Sequence, residues 1–182
     1  MINIYKVELT ILQQKILRLL SIKVGIPLNQ RAIAKLLRVS APAVMKSIPL
    51  LEKKALIKVT QDKESRRWSI ELNRENLHIL QIKRADNLRQ VYECGLFDYL
   101  EKEFAGGTVI LFGSYSRGED TVNSDIDIAV IGRKDKLIDL DGFEKSLERK
   151  INLNFYDSLR NIHRHLKENL CNGIVLSGGI QL

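Results

Sequence analysis

The sequence predicts an α/β (α+β) chain of two modules: three helices ending in a β-hairpin, then a small mixed sheet with helices, the two joined by a helix. Three observations predict it. Apolar residues recur at helical spacing up to Lys53-Lys54-Ala55 and alternate in twos afterwards. Short apolar runs bounded by polar turns recur at Thr108–Phe112, Asp125–Ile131 and Ile151–Phe155. Charge is split as well: residues 1–74 hold 15 Lys/Arg against 5 Asp/Glu, and the remaining 108 hold 14 against 17. The expected boundaries are 1–74, 75–104 for the joining helix, and 105–182. A basic first module either faces a polyanion or presents a solvated lysine-rich surface, and charge alone leaves both open.

Composition excludes several classes. At 182 residues, 45% hydrophobic and 28% charged, the chain has enough apolar material for one or two cores. No apolar run approaches the ~20 residues of a membrane span, and Met1–Lys6 lacks the layout of a secretory signal. Cys94 and Cys171 are too few for a disulfide framework and fit no zinc spacing, so they read as inert packing residues. The expectation is a cytoplasmic chain with reduced thiols.

The first module follows from its punctuation. Ile11, Ile16, Leu19 and Leu20 give a helix over about Val7–Ser21. Asn29 caps a second, Gln30–Leu37, and Arg38-Val39-Ser40 turns the chain. Ser40 caps a third helix with Pro42 in its first turn and a kink expected at Pro49. Its core face is Val44, Ile48 and Leu51; Ala41, Ala43, Lys46 and Ser47 are assigned to the outer face, small or basic enough for a DNA groove. Strands at Leu56–Val59 and Trp68–Leu72 flank a basic tip, Gln61–Arg67, whose Lys63, Arg66 and Arg67 can reach phosphates. Helix, helix, turn, helix and a basic wing is the winged-helix plan, and residues 10–72 resemble winged-helix regulators of archaea and bacteria. Such modules bind duplex DNA or dock proteins. Trp68 and Tyr99 read as core residues.

The joining segment Arg74–Phe104 reads as one helix, long or broken at Gly95. Its stripe of Leu77, Leu80, Leu88, Val91, Tyr92, Leu96, Tyr99 and Leu100 needs cover from the second module or from another subunit in a homodimer.

In the second module, the strand Thr108–Phe112 runs into Gly113-Ser114-Tyr115-Ser116-Arg117-Gly118. Glycine permits close backbone approach, Ser114 offers a hydroxyl and an amide to phosphate, and Arg117 adds charge against a triphosphate. In the next strand, Ile126, Ile128 and Val130 face the core while Asp125 and Asp127 share the opposite face. Paired carboxylates one pleat apart repel unless a cation lies between them, and all-oxygen ligation suits Mg²⁺ or Mn²⁺ held jointly with nucleoside triphosphate.

Gly113-Ser114, ten residues and Asp125-x-Asp127 match the pattern of minimal nucleotidyltransferases of the DNA polymerase β-like superfamily. Leu111-Phe112, Arg117-Gly118 and Ser124 match as well, and the resemblance spans residues 90–182. It implies that Asp125 and Asp127 hold the metals, that Gly113, Ser114 and Arg117 hold nucleotide, and that an NMP passes to a protein or nucleic-acid hydroxyl. Some family members modify HEPN-type toxins. Family members carry a third carboxylate on the following strand, where Ile151, Leu153 and Phe155 alternate and Asn152 stands instead. Asparagine brings neither negative charge nor a proton acceptor. Glu148 and Asp157 are the nearest acidic alternatives.

His163 and His165, two apart, do not form a helical metal pair. Arg160 and His165 spell a HEPN nuclease motif without the all-helical domain it needs. Two functions stay open: a nucleotidyltransferase with a DNA-binding winged helix, or a DNA-binding transcriptional regulator whose degenerate transferase domain senses nucleotide or a partner protein.

Overall fold

Thr10 opens the first helix, α1 (Ile11–Ile22), through a reciprocal cap. Its hydroxyl accepts the Gln13 N–H at 3.3 Å, and the Gln13 side chain accepts the Thr10 N–H at 2.9 Å. The computed structural model describes residues 9–63 and 66–180, so the expected start at Val7 lies outside the described residues. Asn29 caps α2 (Gln30–Leu37) and Ser40 caps α3 (Ala41–Lys53), each through its side chain. Pro49 lies inside α3, which continues past it to Lys53. The hairpin β1 (Ile57–Gln61) and β2 (Trp68–Leu72) pairs Ile57 with Leu72 and Gln61 with Trp68. Glu64 and Ser65 of the expected wing tip lie outside the described residues. Leu28 adds a single antiparallel bridge to Ile70. Ile16, Leu20, Ile33, Val44, Leu51 and Ile70 are buried together, so the three helices and the hairpin share one core in the winged-helix manner.

The chain divides into two units, Met1–Ile79 and Leu80–Leu182. The joining segment forms α4 (Leu77–Glu93) and α5 (Leu96–Glu103), interrupted at Cys94-Gly95. The apolar stripe assigned to it needs correction over α4. Leu77 is 75% exposed and Tyr92 44%, whereas the buried positions are Ile79, Lys83, Asn87, Gln90 and Val91. Their spacing is helical, but three of the five are polar, and a hydrophobic stripe cannot reveal a face buried by an ion pair and side-chain hydrogen bonds. Val91, Leu96 and Leu100 enter the second unit's core as expected.

That unit is built on β3 (Thr108–Phe112), β4 (Ile126–Ile131), β5 (Ile151–Tyr156) and β6 (Ile174–Ser177), in the order β5-β4-β3-β6. β3 runs antiparallel to β4 and β6, while β4 and β5 are parallel, with α7 (Asp141–Leu147) between them in the chain. Val109, Leu111, Ile126, Ile128 and Val130 bury one sheet face; Ile110, Phe112 and Ala129 bury the other with Leu159 and with Leu170 of α8 (Arg164–Cys171). Burial on both faces explains the continuous apolar runs. The whole is a mixed α/β chain. Among the described residues, no helix is long and apolar enough to cross a membrane.

Candidate functional site

Strand register brings the two sequence motifs together. Phe112 pairs with Asp127, so the residue after β3 meets the Asp127 carboxylate. That residue is Gly113, at φ +74°, where a Cβ would lie 2.6 Å from Asp127 Oδ2. Any side chain here would push the carboxylate away, and the positive φ is costly for other residues. Gly113 opens a single helical turn, α6 (Gly113–Arg117). Tyr115 and Ser116 are buried in this turn, and the Ser116 hydroxyl donates to Gly113 O at 2.9 Å, while Ser114 and Arg117 remain half-exposed. Arg117 pairs with Glu119 at 2.8 Å.

The parallel neighbour supplies the third group. β5 places Asn152 opposite Asp127, and its amide Nδ2 donates to Asp125 Oδ2 at 3.1 Å and to Asp127 Oδ1 at 3.3 Å. Asp125, just ahead of β4, and Asn152 are both exposed. The amide therefore lies where a third negative charge would repel, and its hydrogens offset part of the carboxylates' mutual repulsion. Among the described residues, no three His, Cys, Asp or Glu side chains form a metal set. The oxygen donors fit one divalent cation: two carboxylates, with the Asn152 carbonyl available on rotation of the amide.

The acidic alternatives separate. Glu148 lines a groove of about 520 Å³ together with Asp125, Asp141, Glu144 and Lys150. Asp157 follows the far end of β5, beside Ile131 and Gly132, and cannot serve the Asp125 end of the sheet. Glu144 fixes one groove wall by accepting from Lys150 at 2.7 Å and from the Ile151 N–H at 2.9 Å. These two bonds, Lys150 first, hold the Glu144 carboxyl below the usual carboxylate range.

A second cluster escaped sequence reading. Asp120 is buried to 1% exposure, with Lys83 and Asn87 donating to Oδ1 and Arg149 donating to Oδ2 at 3.3 Å. Asn87 also donates to Tyr115 O at 2.9 Å. Burial pushes the Lys83 ammonium below its ordinary pKa against the opposing pull of Asp120. Burial, and then the Asp120 charge, push the Tyr115 phenol well above its ordinary value. The readable signal was Lys83 and Asn87, spaced i, i+4 in line with Ile79.

On the first unit, Lys46, Lys63, Arg66 and Arg67 are exposed, and Ala41 and Ala43 are half-buried. Ser47 is not on the outer face. It lies three residues after Val44 and is 7% exposed, its hydroxyl returned to Ala43 O at 3.0 Å. The outer face of α3 instead carries Pro42, Met45, Lys46 and Pro49. Trp68, expected in the core, is 50% exposed on the wing, whereas Tyr99 is half-buried against Phe143 with ring centroids 5.2 Å apart. Cys171 is exposed rather than packed; Cys94 is half-buried.

Fold and site together define a winged-helix-like unit followed by a mixed-sheet domain with paired carboxylates beside a Gly-Ser turn. Residues 93–175 match the family described as nucleotidyltransferase domain. No curated protein matches the chain significantly. Among solved structures, the S. aureus MepR-DNA complex is 26% identical over 53% of this chain and 82% of that one, with a TM-score of 0.39. A superposition this loose carries no functional argument.

Proposed function

We propose that this protein transfers a nucleoside monophosphate from a nucleoside triphosphate to a hydroxyl on a protein or nucleic acid, and that its winged helix binds duplex DNA. The observation that carries the transfer is the Asp127 carboxylate lying against Gly113 while the Asn152 amide bridges it to Asp125. In this reading Ser114 and Arg117 hold phosphate, with Arg117 exchanging Glu119 for the triphosphate. One Mg²⁺ or Mn²⁺ held by Asp125 and Asp127 would supply positive charge against the phosphates when bound. The acceptor oxygen bonds to the α-phosphorus, the α–β phosphoanhydride bond breaks, and pyrophosphate leaves. The acceptor proton passes to water, because Asn152 cannot take it and Asp125 is open to solvent. The groove beside Asp125 has the size of a small-molecule site.

Asn152 favours a second reading, in which the domain binds nucleotide with little turnover and serves a DNA-binding regulator. Labelled NTP incubated with protein and cell extract separates the two. A labelled acceptor supports transfer; metal-dependent NTP binding without labelling supports the sensor; absence of both removes the nucleotide reading.

The DNA half rests on the exposed basic residues of α3 and the wing. Replacing Lys63, Arg66 and Arg67 together by Ala is expected to weaken duplex binding and flatten its log–log salt slope by about 2.7, at ~0.9 per lost phosphate contact. An unchanged slope would point to protein docking by this module.

A further inference from the structure

The segment Gly118–Asp125 connects the Ser114 turn to the first carboxylate of the candidate site, and it is anchored at each step. Gly118 lies against the backbone of α4: a Cβ there would approach Leu80 O to 2.5 Å and Arg84 N to 2.8 Å. The Glu119 N–H donates to Ser114 O at 3.0 Å. Asp120 then turns inward to Lys83, Asn87 and Arg149. Thr121 and Ser124 close a turn through Ser124 N–H to Thr121 O at 3.0 Å and Thr121 N–H to Ser124 Oγ at 2.9 Å, immediately before Asp125.

The same carboxylate reaches the other strand. Arg149 stands three residues before Asn152, and the intervening Lys150 accepts the Ile126 N–H at 2.8 Å. One side chain therefore ties together the α4 helix, the segment that delivers Asp125, and the lead-in to Asn152. Lys83, Asp120 and Arg149 each have side chains at most 2% exposed. A charge buried so completely is costly unless every partner is in place, so this arrangement resists displacement.

We propose that Asp120 is a positioning residue for the site, fixing the Gly118–Asp125 segment so that Asp125 meets Asp127 and Asn152. The inference rests on the reading that Asp125 and Asp127 bind a divalent cation. It differs from that reading in naming a residue that touches neither metal nor substrate.

The test uses the full chain with Mn²⁺ alone as probe, its binding followed by electron paramagnetic resonance. Circular dichroism checks folding, and hydrogen exchange follows the amides of residues 119–126. Folded Asp120→Asn protein is expected to bind Mn²⁺ about tenfold more weakly, the lower end of losses seen when groups supporting metal ligands are removed. Its 119–126 amides are expected to exchange faster while those of β3 keep their protection. Lys83→Met retains the Arg149 partner and is expected to show a smaller change of the same sign; it decides the matter if Asp120→Asn does not fold. Mn²⁺ affinity and exchange equal to wild type in the folded variants would overturn the positioning role alone. Failure of the wild-type chain to bind Mn²⁺ would instead overturn the metal-site reading, and the positioning role with it.

Discussion

Asp120 and Asp125 lie five residues apart on one connecting segment, yet their surroundings are opposite. Asp120 is 1% exposed and faces two cations, Lys83 and Arg149, with an amide from Asn87. Asp125 is exposed and faces another carboxylate, Asp127, across the Asn152 amide. The first arrangement carries its own countercharge and gains nothing from a ligand. The second sets two carboxylates on a neutral amide, an arrangement that a cation would relieve. Carboxylates near Gly113-Ser114 therefore divide into one that builds the segment and a pair suited to receive a cation.

The sharpest way to break this contrast is to remove charge from the buried side. Asp120→Asn removes the carboxylate to which both Lys83 and Arg149 are paired, and is expected to cost about 3–5 kcal/mol of unfolding free energy. Lys83→Met leaves one cation against one anion and should change stability by no more than about 1 kcal/mol in either direction, since a buried ion pair contributes little net stabilisation over apolar packing. Urea unfolding followed by circular dichroism measures both. Equal losses for the two substitutions would show that the cluster's charge balance does not govern its stability.

The exposed side should respond to added negative charge. Asn152→Asp places a third carboxylate against Asp125 and Asp127 and is expected to tighten Mn²⁺ binding about tenfold, or ~1.4 kcal/mol. Asp127→Ala should abolish any Mg²⁺-dependent stabilisation by NTP in thermal melts. Rapid acceptor labelling by the wild-type chain, unchanged by Asn152→Asp, would show that another residue supplies the missing charge. Glu148, which lines the groove with Asp125, would then be the next residue to replace.

How far the sequence discloses this contrast depends on residue type. Alternation along Ile126–Val130 exposed the core face of β4 and so the shared face of Asp125 and Asp127. Alternation along Ile151–Phe155 gave only the face of Asn152; the family resemblance named it as the third position, and strand register sets it opposite Asp127. Cap chemistry located α2 and α3 at Asn29 and Ser40. Reading failed where a polar residue is buried by pairing, as at Lys83, Asn87 and Asp120, because hydropathy treats such residues as solvated. It also failed at Ser47, whose hydroxyl returns to its own helix carbonyl, and at Trp68, an aromatic residue left exposed on a two-stranded wing.

The smallest expected effect lies in the alkaline pH dependence of the buried cluster, where two groups act with opposite signs. Lys83 has a folded pKa below its unfolded value of about 10.4, chiefly through burial. Burying its charge therefore opposes folding at lower pH, and that penalty fades as pH rises from the folded pKa toward ~10.4. Tyr115 has a folded pKa above its unfolded value of about 10, through burial and then Asp120. Its contribution to stability is fully present below ~10 and is lost as pH climbs above it, where the unfolded phenol ionises first. Relative to wild type, Lys83→Met should flatten the rise below ~10.4, and Tyr115→Phe should flatten the fall above ~10. At neutral pH, Tyr115→Phe should cost less than ~1 kcal/mol, because the phenol's bond to Asn87 O is long at 3.5 Å. Urea unfolding across this range, with phenolate absorbance recorded in parallel, reads both curves. Ionisation of Tyr115 near 10 in the folded chain would mean that solvent reaches the cluster, and the contrast between a sealed Asp120 and an open Asp125 would no longer hold.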